Sequence, residues 1–146
     1  MLAEHKRARF DYEILEEYEA GIELLGLEVK SLRAHGAVLD GSHVTIRGGE
    51  AYIMQMAIPP YQPANTPQEY DPLRVRRLLL TKAQIADLAA LEAGRGLTIV
   101  PLKVYNKGKK VKVAIAVVRG KKKFDKRETI KERESDREIR RTLKKE

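Results

Sequence analysis

The chain contains no cysteine and no tryptophan. The first absence excludes disulfides, cysteine-ligated metal and thiol catalysis. The second, with only two phenylalanines and six tyrosines, limits any stacking on nucleobases to isolated spots. Histidine is scarce as well: His5, His35 and His43 are the only three. They stand in neither HxxxH nor HxH spacing, so no metal centre is expected and each reads as a surface or packing residue. Gly120-Lys121-Lys122 lacks the upstream glycine and the following Ser or Thr of a phosphate-binding loop. No apolar run reaches the length of a signal peptide or membrane helix, which makes the cytoplasm the expected location. No cofactor is expected.

What the chain has in abundance is charge. Its 146 residues carry 29 Lys or Arg against 21 Asp or Glu, a net +8, and the calculated pI is about 9.7. The excess is concentrated at one end, where residues 119–146 hold thirteen basic and seven acidic side chains. Such a distribution points to a polyanion, because neutralising phosphates releases condensed counterions. The basic end lacks the apolar face that a membrane surface requires, so nucleic acid is the favoured partner.

Beyond Phe124 the aliphatic residues are Ile130, Ile139 and Leu143. These are too few to offset the ~1–2 kcal/mol per residue of backbone ordering. The segment 120–146 is therefore expected to be an unstructured basic tail in the free protein. Glu128 with Lys131, Glu134 with Arg137, Asp136 with Arg140 and Glu138 with Arg141 are opposite charges at helical spacing. They make the tail a nascent helix that a negatively charged groove could complete; the competing reading is a solvated terminus that aids solubility.

Residues 1–9, with the run HKRAR, read as a flexible basic arm, and residues 10–119 as one folded body. From Phe10 to Val29 the sign reverses, with seven acidic residues and no Lys or Arg. Periodicity there fits strand and helix alike, while Gly21 and Gly26 favour a bent strand. Val29–Ala34 suits a short helical turn. Val44 and Ile46, a Gly48-Gly49 turn, then Tyr52, Met54, Met56 and Ile58 on one face predict a hairpin. Five of the six prolines lie between Pro59 and Pro72, predicting a long surface loop that serves as a crossover or a binding lid. Thr81 and Gln84 form a capping box for a helix with Ile85, Leu88 and Ala89 as its apolar stripe. Leu97–Val104 and Val111–Val117 predict a second hairpin, with Pro101 at an edge or bulge.

Short strands in hairpins with one intervening helix suggest a mainly β fold, a closed antiparallel OB-type barrel with short helices, although other small barrels fit the pattern. Basic candidates for RNA contact are His5, Lys6 and Arg7 in the arm, Arg76 and Arg77 before an apolar run, and Lys107, Lys109 and Lys110 in the second hairpin. The carboxylates of Glu13, Glu16, Glu17 and Glu19 could serve acid–base chemistry or Mg²⁺, but a charged strand edge explains them at lower cost. In an RNA-binding surface such a carboxylate accepts from an exocyclic amine or a 2′-hydroxyl. An enzyme is not expected.

Several separated motifs carry a more specific signal. FDYEILEEYEAGIELLGLEVKSLRA, then DP followed by RRLLL, then GLTIVPLKVY, then RGKKKFDKRETIKERE resemble, in order and spacing, the SsrA-binding protein family, also called small protein B. The similarity runs from about His5 to Glu134. It implies an OB-type barrel that binds the tRNA-like domain of tmRNA and brings it to stalled ribosomes for trans-translation. The tail then folds as a helix near the decoding centre of the small subunit, in the empty mRNA channel. It further implies a monomer with no catalytic step, which meets the elongation factor and alanyl-tRNA only through the tmRNA complex. Carried over by position, Glu19 and Leu79 fall on sites tied to RNA binding. Gly120, Lys121, Lys122, Lys123, Asp125, Lys126 and Arg127 fall on the tail motif tied to the ribosome. The family often has Asn where His5 stands and Ala-Gly where this chain has Ala34-His35. The reading from another class is a structural ribosomal or general RNA-binding module; a third is an adaptor whose tail holds a protein partner.

Overall fold

The computed structural model describes residues 1–94 and 96–120. In chain order the elements are β1 (Ala3–Glu4), α1 (Ala8–Asp11), β2 (Tyr12–Ile22), α2 (Gly26–His35), β3 (His43–Arg47), β4 (Glu50–Met54), β5 (Arg76–Leu79), α3 (Lys82–Glu92), β6 (Leu97–Lys107) and β7 (Lys110–Gly120), with a 3₁₀ turn at Pro63–Asn65. The fold is mainly β, one antiparallel sheet with a few short helices. Pairing runs β1-β6-β3-β4-β5-β2-β7, and a further β6–β7 ladder brings the order back on itself. The longest ladders are β2 with β7 and β6 with β7, each stepping over an irregularity at Ile14/Glu16 and at Pro101/Lys103. Proline has no amide to donate, which is why the second ladder shifts there.

Alternation along these strands sends Val44, Ile53, Leu78, Ile99, Val104, Val113, Ile115 and Val117 into one core, with Leu32 from α2 and Leu88 from α3. A smaller cluster of Val100, Ala116 and Val118 lies apart, packed by Tyr12, Ile14 and Leu102. The expected capping box of α3 is formed: Gln84 N–H donates to Thr81 Oγ1 at 3.2 Å and Thr81 N–H to Gln84 Oε1 at 3.1 Å. Its buried stripe differs from expectation, because Ala89 is exposed while Leu91 packs on the core.

Three further expectations are corrected. On β4 the inward residues are Ala51 and Ile53 rather than Tyr52 and Met54. Gln55 then adopts φ 61°, which breaks the two-residue alternation and returns Met56 and Ile58 to the core. Gly26 does not bend a strand but opens α2, which is longer than the predicted turn and ends at Gly36, φ 76°. A Cβ on Gly36 would stand 2.9 Å from the Leu2 carbonyl. The arm 1–9 is tied to the body: Leu2 N–H donates to Val104 O at 2.7 Å, His5 N–H to Leu102 O at 2.8 Å, and Ala3 and Glu4 pair with β6.

One buried cluster joins α2, β5 and both ends of the proline-rich loop. Glu28 is 1% exposed and Arg76 0%. Glu28 Oε1 accepts from Leu25 N–H at 2.8 Å and from Arg74 at 2.7 Å, and its Oε2 from Arg76 Nε at 2.7 Å. Arg76 also donates to Met56 O at 2.7 Å and Pro72 O at 3.1 Å. Ser31 Oγ donates to Pro59 O and Tyr70 OH to Ile58 O at 2.8 Å. The loop between them is thus anchored at its base. Burial acts to raise the Glu28 pKa, but the Arg74 bonds, the Leu25 amide and Arg76 outweigh it and hold the carboxyl below its usual value.

Glu28→Ala is expected to cost ~3–5 kcal/mol, because it leaves the Arg76 guanidinium buried without its counter-charge. A folded pKa below the unfolded one stabilises above the ordinary glutamate value of ~4.3 and is lost as pH falls through the folded value. Urea unfolding of wild type should therefore weaken on acidification through that window more steeply than unfolding of Glu28→Gln. Parallel profiles would remove Glu28 as the cause.

Candidate nucleic-acid interface

Glu19 is a carboxylate at the centre of a basic strand face. It lies on β2 opposite Ala114 of β7, which is in turn opposite Lys103 of β6. Because Ala20 beside it is fully buried, alternation turns Glu19 to the outer face. The same period places Lys103, Tyr105 and Lys107 together on β6. There Tyr105 OH donates to Glu19 Oε2 and Lys107 Nζ to Glu19 Oε1 at 3.0 Å, while Lys103 Nζ lies 5.4 Å from the centroid of the Tyr105 ring. The two hydrogen bonds, Tyr105 first, hold the Glu19 carboxyl below the usual glutamate range, with a smaller contribution from Lys112. Burial, then the Glu19 carboxylate, push the Tyr105 phenol up to about 12. The proton stays on tyrosine and the charge on glutamate, leaving an anionic acceptor set among lysines.

Beside this face opens a groove floored by Gly21, Ile22 and Leu79, with Arg33, Lys109 and Lys110 on its rim. Leu79 is 46% exposed although it belongs to a sheet strand. A Cβ added to Gly21 would come within 3.1 Å of Leu79 Cβ, so the glycine sets how the leucine sits. Arg33 Nη2 donates to the Lys109 carbonyl at 3.1 Å, fixing the second hairpin against α2. Charge on an apolar floor suits a nucleotide, whose base is apolar on its faces and whose phosphate is anionic.

The candidates read from the sequence divide. Glu19, Leu79, Lys107, Lys109 and Lys110 come together on this surface. Arg76 does not, and is corrected: Leu78 and Arg76 share a strand face, Leu78 is in the core, and the guanidinium follows it inward to Glu28. Arg77 faces out but is held by Glu50 at 3.0 Å and Glu23 at 3.3 Å. His5 is also corrected, being only 8% exposed. Its Nδ1–H donates to Pro101 O at 3.3 Å, so it fastens the arm. Lys6 is exposed beside His5 and Lys103, and Arg7 lies 3.8 Å from Asp11 and over the Phe10 ring. Gly120 is the last residue of β7, opposite Tyr12. Lys121, Lys122, Lys123, Asp125, Lys126 and Arg127 lie outside the described residues. Among the described residues no three His, Asp or Glu are grouped to hold a metal ion, and no helix is long and apolar enough to cross a membrane.

A family profile for "SmpB protein" matches residues 2–145. The chain belongs to the SmpB protein family. Its relatives in the family include the SsrA-binding protein of Thermosynechococcus vestitus, 47% identical over 99% of this chain and 95% of that one. The SsrA-binding protein of Lactobacillus delbrueckii subsp. bulgaricus is 51% identical over 97% and 92%. A solved chain from work on tmRNA–SmpB at the centre of the bacterial ribosome superposes with a TM-score of 0.69 at 46% identity, covering 83% of this SmpB-family chain and 85% of that one.

Sequence reasoning missed Tyr105 and Arg33. Tyr105 had one available signal, its position two residues before Lys107 on an alternating strand; its partner Glu19 is 86 residues away. Glu19→Gln is expected to lower the Tyr105 pKa from about 12 towards the ordinary tyrosine value, in part only because burial remains. An NMR titration of the ring resonances tests this, and an unmoved midpoint would show the pair to be uncoupled.

Proposed function

We propose that this protein binds the tRNA-like domain of tmRNA and delivers it to stalled ribosomes for trans-translation. Membership of the SmpB family over residues 2–145 carries the reading, and the likeness to a chain studied with tmRNA in the ribosome supports it. In this reading the closed strand order is an OB-type barrel, and its outer face around Glu19, with the Leu79 groove, is the RNA-binding surface. OB-type barrels present a strand face and adjoining loops to nucleic acid. Lysines and arginines on the rim supply affinity by counterion release. The fixed carboxylate supplies register, since it repels phosphate and accepts only from donor groups.

The basic segment 120–146 enters the messenger channel beside the decoding centre and folds there as a helix, with Gly120, Lys121, Lys122, Lys123, Asp125, Lys126 and Arg127 as its ribosome-binding residues. The protein acts in the cytoplasm as a monomer and makes or breaks no bond; the elongation factor and alanyl-tRNA join through tmRNA.

Binding of the full-length chain to the isolated tRNA-like domain and to an elongator tRNA, across a salt series, tests the assignment. A large preference for the former should persist as salt rises, because shape and acceptor contacts are not screened as phosphate contacts are. Equal binding that fades together in salt would make this a general RNA-binding module. Truncation before Asp125 is expected to leave affinity for the tRNA-like domain within about threefold, as non-overlapping contacts add independently, while abolishing peptide tagging on stalled ribosomes. Equal loss of both would place the tail in the primary RNA site.

A further inference from the structure

The chemistry of the Glu19 cluster goes further than affinity, and this step rests on the RNA-binding reading above. Each Glu19 oxygen accepts one bond from within the protein, Oε2 from Tyr105 OH and Oε1 from Lys107 Nζ. A carboxylate has about four lone-pair sites, so each oxygen keeps acceptor capacity for one further donor. The side chain is 40% exposed, and its neighbour across the ladder is only Ala114, which leaves the approach open. Lys103 beside Ala114, and Lys112 opposite Tyr105, flank it on the same strands.

Two adjacent acceptors match two adjacent, parallel donors. Among the four RNA bases, the Watson–Crick edge of guanine alone presents such a pair, N1–H and the N2 amino group. Adenine and cytosine each set one amino group beside a ring-nitrogen acceptor, and uracil sets one N–H between two carbonyls; those acceptors would face the carboxylate and be repelled. The guanine edge is free only where the base is unpaired. We infer that Tyr105 positions Glu19 to read the N1–H and N2–H of an unpaired guanine, with Lys103 and Lys112 placed for the adjoining phosphates. Tyr105 is a positioning residue here and need not touch RNA. Without its hydroxyl the carboxylate turns to the lysines and presents a different edge.

The test uses the full-length chain and three fluorescent single-stranded RNA heptamers, uridine throughout except for a central guanosine, inosine or adenosine. Inosine differs from guanosine only by loss of the N2 amino group. Wild type is expected to prefer the guanosine heptamer over both others by about tenfold, within the range one bidentate base contact discriminates. Tyr105→Phe and Glu19→Gln should each bring the ratios close to unity, and the ratio is the readout because a general weakening of a destabilised variant does not move it. Tyr105→Phe with an undiminished ratio would remove Tyr105 from the role. Equal binding of all three heptamers by wild type would overturn the guanine assignment. In that case, retained preference for the tRNA-like domain over elongator tRNA leaves the proposed function standing, and loss of that preference removes both.

Discussion

The seat of α2 beside the candidate RNA surface depends on one buried carboxylate. Glu28 sits between the first turn of α2, whose Leu25 amide it caps, and two arginines, Arg74 just before β5 and Arg76 at its first position. Through Arg76 it also reaches the carbonyls of Met56 and Pro72. A buried pair contributes little over a well-packed apolar substitute, but removing either partner alone is costly. Such a pair therefore specifies an arrangement more than it strengthens it. What it specifies is the seat of α2, which presents Arg33 to the second hairpin, and the base of the loop from Pro59 to Pro72. The His35 Nε2–H, donating to Tyr61 O at 3.1 Å, fastens the far end of the helix to the same loop.

On the outer face the governing problem is selectivity in a basic protein. Lysines alone attract any phosphate chain, and their contribution weakens together as salt rises. A carboxylate among them repels phosphate at one spot and accepts only from donors. Donation from Tyr105 and Lys107 lowers the Glu19 pKa, and burial, with the Glu19 carboxylate, raises that of Tyr105. The rigid ladder of β2, β7 and β6 sets this geometry, so the acceptor is held before any ligand arrives and little ordering remains to be done on binding.

What could be read from the chain alone followed from short-range physics. The mainly β character, the α3 capping box, the Gly48-Gly49 turn and the second hairpin all depend on neighbours a few residues apart. Net charge and its concentration at one end are sums over the sequence, and they pointed to a polyanion without any fold. The motif order that resembles small protein B belongs to the same level.

The tertiary structure decided which side each charged residue faces, and therefore which of them are available. RRLLL reads as a basic patch, yet Leu78 must enter the core and period two takes Arg76 with it to Glu28, 48 residues away in the chain. A single left-handed residue, Gln55, reverses the alternation that sequence pattern assumed for β4. The arm is fastened because β6 offers it free backbone partners, and Tyr105 meets Glu19 because β2 and β6 both flank β7. Composition and local pattern thus determined what kinds of element and ligand this protein has. Contacts between residues distant in sequence determined which side chains meet, because ladder register and burial are properties of the whole sheet.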